Sequence, residues 1–424
     1  MVFLGYKLMK LKTSISIFLV LLWHTQSSGC SIKATLKKKS SIFLVNSSNR
    51  ITNLDFIRGF ALLGILVMNV IAFGLPLTAT TNSSTYGIEN SLDWIVLVIS
   101  SVFFEYKMMG LFSMLFGVGI IIFLDNAEKK ISKPKTLAIW RNFLLFCFGT
   151  IHLSIWEGDI LAPYAICAFL LIIFPKVENP KFIFAAIVFL MTASVLITNY
   201  FSSLYDSSGN LISQEEWVLL ASKGGALSYG KFWFPESESW GYLIGMWWYI
   251  GAFFRAISLM LFGFLLYKLN IIQGKKEISY YKKISLYGFS VGLPLAIYSI
   301  YLLVSSNYDP SVLLISNIFN TLSVIPMVLG YTGLLTILNL KLKDSISNRL
   351  RASGRLAFTN YITQTIFGVF ILGAFGLDTF SRSQLMIFVF LVWMIQITWS
   401  KILLDRFNYG PLEWFWRKLT YLFV

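Results

Sequence analysis

The segment HLSIWEGDILAPY, His152 to Tyr164, places an imidazole and two carboxylates, Glu157 and Asp159, at the end of an apolar run. A carboxylate beside an imidazole raises the basicity of the ring and fixes its tautomer, which is how a general base is built. His152, Glu157 and Asp159 are therefore the candidate catalytic residues. The same spacing also fits a plainer arrangement, in which His152 hydrogen-bonds a loop carbonyl at the membrane interface and Asp159 caps the next helix. The other of the chain's two histidines, His24, lies in the N-terminal segment.

A second set of residues has the chemistry of anion recognition. In RITNLDFIRGFALLGILVMNVIAF, Arg50 to Phe73, the side chains of Asp55, Arg58 and Asn69 share one face of a helix that turns about 100° per residue. Arg58 offers a fork of donors to an anionic group, while Asp55 in the first turn suits the helix dipole and Arg58 can equally snorkel to the interface. Asn69, about 21 Å further along, either bonds a neighbouring helix or orients a substrate. Arg141 and His152 repeat this arrangement on a later helix, with a basic residue at one end and a polar one near the other. In GRLAFTNYITQTIF, Asn360 and Gln364 lie one turn apart, either as glue between helices or as a binding patch. Asp55, Arg58, Asn69, Arg141, Asn360 and Gln364 are thus the candidate substrate-binding residues. Glu105 and Lys107, before a glycine-containing span, are expected to pair with each other or to reach the layer of His152. Cys30, Cys147 and Cys167 form neither a disulfide framework nor a metal-binding spacing, so no metal site is expected.

The elements that hold these residues must cross a membrane. The chain of 424 residues is 56% hydrophobic and 17% aromatic and carries 13% charged residues, about half the share typical of a soluble domain. The net charge of +15 comes from short basic runs at the ends of apolar stretches, the pattern of cytoplasmic loops rather than of nucleic-acid binding. The expected fold is all-α, a polytopic transmembrane helix bundle of about ten spans with N- and C-termini cytoplasmic. Arg50 to Phe73 is its first span, around which the others should pack.

The run Leu92 to Leu124 is too long for one crossing and is interrupted at Glu105, Tyr106 and Lys107. It reads as a re-entrant or interfacial helix followed by one span from Met108 to Leu124. Further spans are expected near Leu137–Ile155, Ile160–Phe174, Phe182–Phe201, Gly241–Tyr267, Ile284–Val304, Val312–Leu338, Ala357–Phe375 and Leu385–Leu404. Basic stretches such as KKEISYYKK and KLKDSISNRLR read as the connections between them.

Residues 1–49 are a leader, signal-like or interfacial, or an over-extended start. Residues 50–404 form the membrane domain, with a family-specific half from about residue 240. Residues 405–424 make an interfacial tail of aromatic and basic side chains that anchors the chain at the headgroups.

RITNLDFIRGFALLGILVMN, KMMGLFSMLFGVG, GTIHLSIWEGDILAPYAI, GRLAFTNYITQ and GPLEWFWRKLTY, in this order, resemble the YeiB-like family of bacterial inner-membrane proteins, which carries a domain of unknown function. The opening signature, here Arg50, Leu54, Asp55, Arg58 and Gly59 with Asn69 beyond, is also distantly similar to transmembrane acyltransferases such as heparan-alpha-glucosaminide N-acetyltransferase. That resemblance implies acyl-CoA as a cytoplasmic donor substrate, an extracytoplasmic acceptor and no permanently bound cofactor. It also implies a catalytic His in the loop after the first span. Val70 to Asp93 contains none, which leaves His152 to fill the role from another helix.

Two functions are therefore expected to compete. In acyl transfer, Arg58, Arg141 and Arg355 hold the donor and His152 with Glu157 or Asp159 activates the acceptor. In a transporter or export component, the same polar faces line a path without covalent chemistry. The lipid bilayer is the common partner.

Overall fold

The computed structural model describes residues 50–80, 82–156, 158–173, 179–200, 210–211, 213, 215, 239–376 and 379–422. The expected leader, Glu157 and most of the polar stretch from Ser202 to Trp240 lie outside the described residues. In chain order the helices are α1 (Thr52–Gly74), α2 (Ser91–Phe103), α3 (Lys107–Glu128), α4 (Pro134–Leu153), α5 (Leu161–Ile173), α6 (Pro180–Tyr200) and α7 (Ser239–Lys268). They continue as α8 (Ile278–Ser305), α9 (Pro310–Lys341), α10 (Asp344–Arg355), α11 (Ala357–Phe367), α12 (Arg382–Arg406) and α13 (Pro411–Thr420). A π-helical stretch, Gly368–Leu372, carries α11 on to Phe375.

Among the described residues, nine helical segments are long and apolar enough to cross a bilayer, with α2 and α3 counted as one and the shorter α5 as a further apolar helix. This is the all-α bundle expected from the hydropathy. The long run divides where its charges fall. Tyr106 takes a left-handed backbone conformation (φ 58°) between α2 and α3, and a helix of the length of α2, about 20 Å, cannot span alone. Asn90 and Asp93 start α2 with a reciprocal capping box.

The chain divides into two compact units, the smaller built on Phe123–Phe174 and Pro411–Val424, the larger on Asn53–Ile122 and Pro175–Gly410. In the smaller unit α4 and α5 form a tight hairpin, because Gly149 lets the backbone of Ala162 approach: a Cβ there would lie 2.3 Å from the Ala162 nitrogen. The tail becomes helix α13, docked on α4 by Trp140 Nε1 donating to Leu419 O (3.1 Å) and Trp416 Nε1 to Arg141 O (3.0 Å).

In the larger unit α1 lies in the core, with Ile57, Ala61, Leu62, Leu66 and Val70 all fully covered. Helices α8 and α9 run antiparallel, Gly288 against Gly330 and Ser299 bonded to Ser316 (2.8 Å between hydroxyl oxygens). Phe182, Phe184, Phe189, Leu286 and Ile387 are exposed, as side chains facing lipid would be.

Two readings are corrected. KKEISYYKK is a connection only up to Glu277, since residues 278–283 are the first turns of α8. KLKDSISNRLR is mainly the helix α10 rather than a plain connecting loop. Its small residues Ser347 and Gly354 repeat at helical spacing and are buried, whereas Arg349 is exposed and Arg351 and Arg355 are half-buried, so the charge of the segment masked its amphipathic pattern.

Candidate functional site

Helix α4 ends just beyond His152, and the following turn brings Asp159 back beneath it. His152 Nδ1 lies 2.6 Å from Asp159 Oδ1, and the two side chains are 2% and 0% exposed. The other carboxylate oxygen accepts the Ala162 N–H at 2.8 Å in the first turn of α5. Asp159 thus does both things that the spacing allowed: it caps α5 and partners the imidazole. A carboxylate partner at Nδ1 selects the tautomer with its hydrogen there, which leaves Nε2 as the nitrogen that can accept a proton. Trp156 packs edge-on against the imidazole, with ring centroids 6.1 Å apart. Glu157 lies outside the described residues.

Arg141, on the same helix, has its guanidinium between two rings, 4.6 Å from Phe123 and 4.2 Å from Trp416. That arrangement ties the tail helix to α4 by cation–π attraction.

In the larger unit, Arg58 Nη1 donates to Asp55 Oδ1 at 3.3 Å, one helical turn away, with side chains 26% and 6% exposed. Asn53, two residues before Asp55, is the hub of a buried network. It donates to Ile272 O and Thr336 Oγ1, both at 2.9 Å, and accepts from Asn339 Nδ2 at 3.1 Å, while Arg351 Nε donates to Asn339 Oδ1 at 2.9 Å. Asn69 is half-buried on α1.

Asn360 and Gln364 join α11 to α12. Asn360 donates to Ser353 O and Ser400 Oγ and accepts from Trp399 Nε1. Gln364 donates to Gln396 Oε1 (2.9 Å) and Leu62 O (3.3 Å), and Gln396 donates in turn to Asn360 O. Arg355 donates to Asn408 O.

A second polar centre gathers in the larger unit around the α2–α3 break. Lys107, fully buried, donates to Ser101 O (3.0 Å) and to the side-chain oxygen of Asn320 on α9. Glu105 lies against the side chains of Ser101 and Asn320, in the field of Lys107 and Arg255. Arg255, on α7 and 3% exposed, holds its guanidinium 4.0 Å over the ring of Tyr106. Arg382, also 3% exposed, donates to Ala79 O (3.0 Å) and Ser83 O (3.2 Å) and lies in the field of Tyr308, Asp93 and Glu105.

Glu105 and Lys107 stood out in the sequence; Arg255, Arg382 and Asn320 did not. Arg255 had a signal, since it is a lone charge inside a long apolar helix. Arg382, at the first residue of α12, was indistinguishable from an ordinary span end. Among the described residues no group of three or more His, Cys, Asp or Glu side chains is placed to hold a metal ion.

Helices of spanning length around buried polar groups define a multi-pass, all-α membrane protein. Residues 266–423 match the family described as Protein of unknown function (DUF418). The chain is 28% identical to Uncharacterized protein YeiB of Escherichia coli (strain K12), over 88% of this chain and 96% of that protein. It is 27% identical to Uncharacterized protein YxaH of Bacillus subtilis (strain 168), over 90% and 97%. The chain is thus similar to the YeiB-like proteins over most of its length, and its C-terminal part matches the model of this domain of unknown function.

Proposed function

We propose that this protein is a transmembrane acyltransferase of the bacterial inner membrane, with both termini cytoplasmic, that moves an acyl group from acyl-CoA to an extracytoplasmic acceptor. The observation that carries this reading is the contact between His152 and Asp159. Asp159 holds the ring in one tautomer and stabilises the imidazolium that forms when Nε2 takes a proton. In the proposed step an acceptor hydroxyl or amine gives its proton to Nε2 as its oxygen or nitrogen attacks the thioester carbonyl. The carbon–sulfur bond then breaks, and the proton passes to the departing thiolate to give free coenzyme A. By the resemblance of the opening signature alone, Arg58 is assigned to the anionic groups of the donor.

The test is transfer of radiolabelled acetyl groups from acetyl-CoA into the acceptors of membrane vesicles that contain the full chain. His152→Gln should reduce transfer by roughly a hundredfold or more, the scale of a lost general base, at unchanged protein level and unchanged melting temperature. Wild-type transfer by that variant would remove His152 from the mechanism.

The burial of the same pair favours a second reading, a structural clamp that closes the α4–α5 turn. On that reading His152→Gln lowers the melting temperature and leaves transfer per folded molecule intact.

A further inference from the structure

We propose that the polar centre at the α2–α3 break is a binding site for a singly charged oxyanion, a phosphodiester or carboxylate group, with Lys107, Arg255 and Arg382 as its cations. The inference is independent of the acyl-transfer reading.

It rests first on charge. Three cations, each at most 3% exposed, share this region: Lys107, Arg255 and Arg382. Among the described residues, the carboxylates whose fields reach Lys107 and Arg382 are Glu105 and Asp93, and Glu105 also faces Arg255. Asp93 is already engaged by three backbone N–H groups, those of Glu89 (3.0 Å), Asn90 (3.1 Å) and Ser383 (2.7 Å). Three positive charges against two negative leave one positive charge in surroundings that solvate ions poorly, a costly state unless an anion completes it.

Unused donors are the second observation. Arg255 Nε and Arg382 Nε are buried and have no hydrogen-bond partner among the described residues. Each guanidinium is held elsewhere, Arg255 by the ring of Tyr106 and Arg382 by the Ala79 and Ser83 carbonyls, so their positions are set before any ligand arrives. The two free Nε–H groups offer one donor each to the two oxygens of a carboxylate or phosphodiester.

Third, the backbone of the centre is unusual. Ser101, Glu105 and Tyr106 are half-buried, while the cations beside them are covered. Tyr106 and Tyr308 both hold left-handed conformations, φ 58° and 60°, which bulky residues keep only where the surroundings impose them and which concentrate at ligand sites. Tyr308 is buried between α8 and α9, and burial pushes its phenol up to about 12, so it remains a hydrogen-bond donor at neutral pH.

Glu105 occupies the role of an internal counter-anion, and this yields two opposite expectations. Purified full-length protein in a maltoside detergent is titrated with acetate, dimethyl phosphate and a short-chain phosphatidylglycerol by ligand-observed NMR, with glucose as the neutral control. Saturable binding of at least one anion is expected, weakened about tenfold or more by Arg255→Gln, the scale of a lost charge-assisted bond, and tightened by Glu105→Gln. Binding of the lipid without dimethyl phosphate would identify a headgroup as the ligand, and binding of both a soluble oxyanion. No saturable binding by folded protein, or binding indifferent to both substitutions, overturns the proposal. If Arg255→Gln does not fold, Glu105→Gln decides: unchanged or weaker binding overturns it.

Discussion

Gly59 and Gly354 meet at the crossing of α1 and α10, where a Cβ on Gly59 would stand 2.1 Å from the Leu350 carbonyl oxygen and one on Gly354 would stand 1.9 Å from that of Asp55. The glycine that closes the Asp55–Arg58–Gly59 signature is therefore a point of backbone contact. Gly59→Ala and Gly354→Ala should each cost about 1–3 kcal/mol or more, because backbone cannot yield as a flexible side chain can. Thermal unfolding in detergent measures this. Gly119→Ala, where a Cβ meets nothing within 4 Å, is the control and should leave stability unchanged or slightly higher.

Gln396 holds both Asn360 O and the Gln364 amide, so Gln396→Leu should strand buried polar groups at a cost of about 1–3 kcal/mol. The double variant Gln364→Leu, Gln396→Leu should lose less than the sum of the single ones, since it removes both partners. Additive losses in an unfolding series would show that the two amides are not coupled.

Trp416 bonds the Arg141 carbonyl and lies under its guanidinium. Trp416→Ala should release the tail, raising amide exchange across Pro411–Thr420 while α8 and α9 stay protected. The lost cation–π contact alone is worth about 0.5–2 kcal/mol.

The proposed orientation makes a labelling prediction. In a chain whose own cysteines are replaced, a single cysteine at Lys129 should react only with reagents that reach the cytoplasm, and one at Asn307 with reagents applied outside. The reverse pattern would invert the topology.

Much of the fold was legible because lipid imposes length and polarity on each helix: the first span, the division at Glu105 to Lys107 and the aromatic tail could all be read from spacing. Helix α10 was hidden because its three Arg residues, and the Lys residues just before it, outweigh the small residues that pack. The pairing of His152 with Asp159 was readable, since seven residues across a tight turn bring them together. The gathering of Lys107, Arg255, Asn320 and Arg382 was not, because it depends on helices far apart in the chain. Asn53 shows a related limit. It stands in the first turn of α1, and its bonds to Thr336 and Asn339 come from a helix that local pattern cannot place.

The most direct test of the acyltransferase reading is a calorimetric titration of the purified protein with acetyl-CoA, with coenzyme A and an unrelated nucleotide as controls and Arg58→Ala beside wild type. Saturable binding that Arg58→Ala weakens is the predicted result. Absence of binding by a demonstrably folded sample, with longer acyl donors also tried, would contradict it.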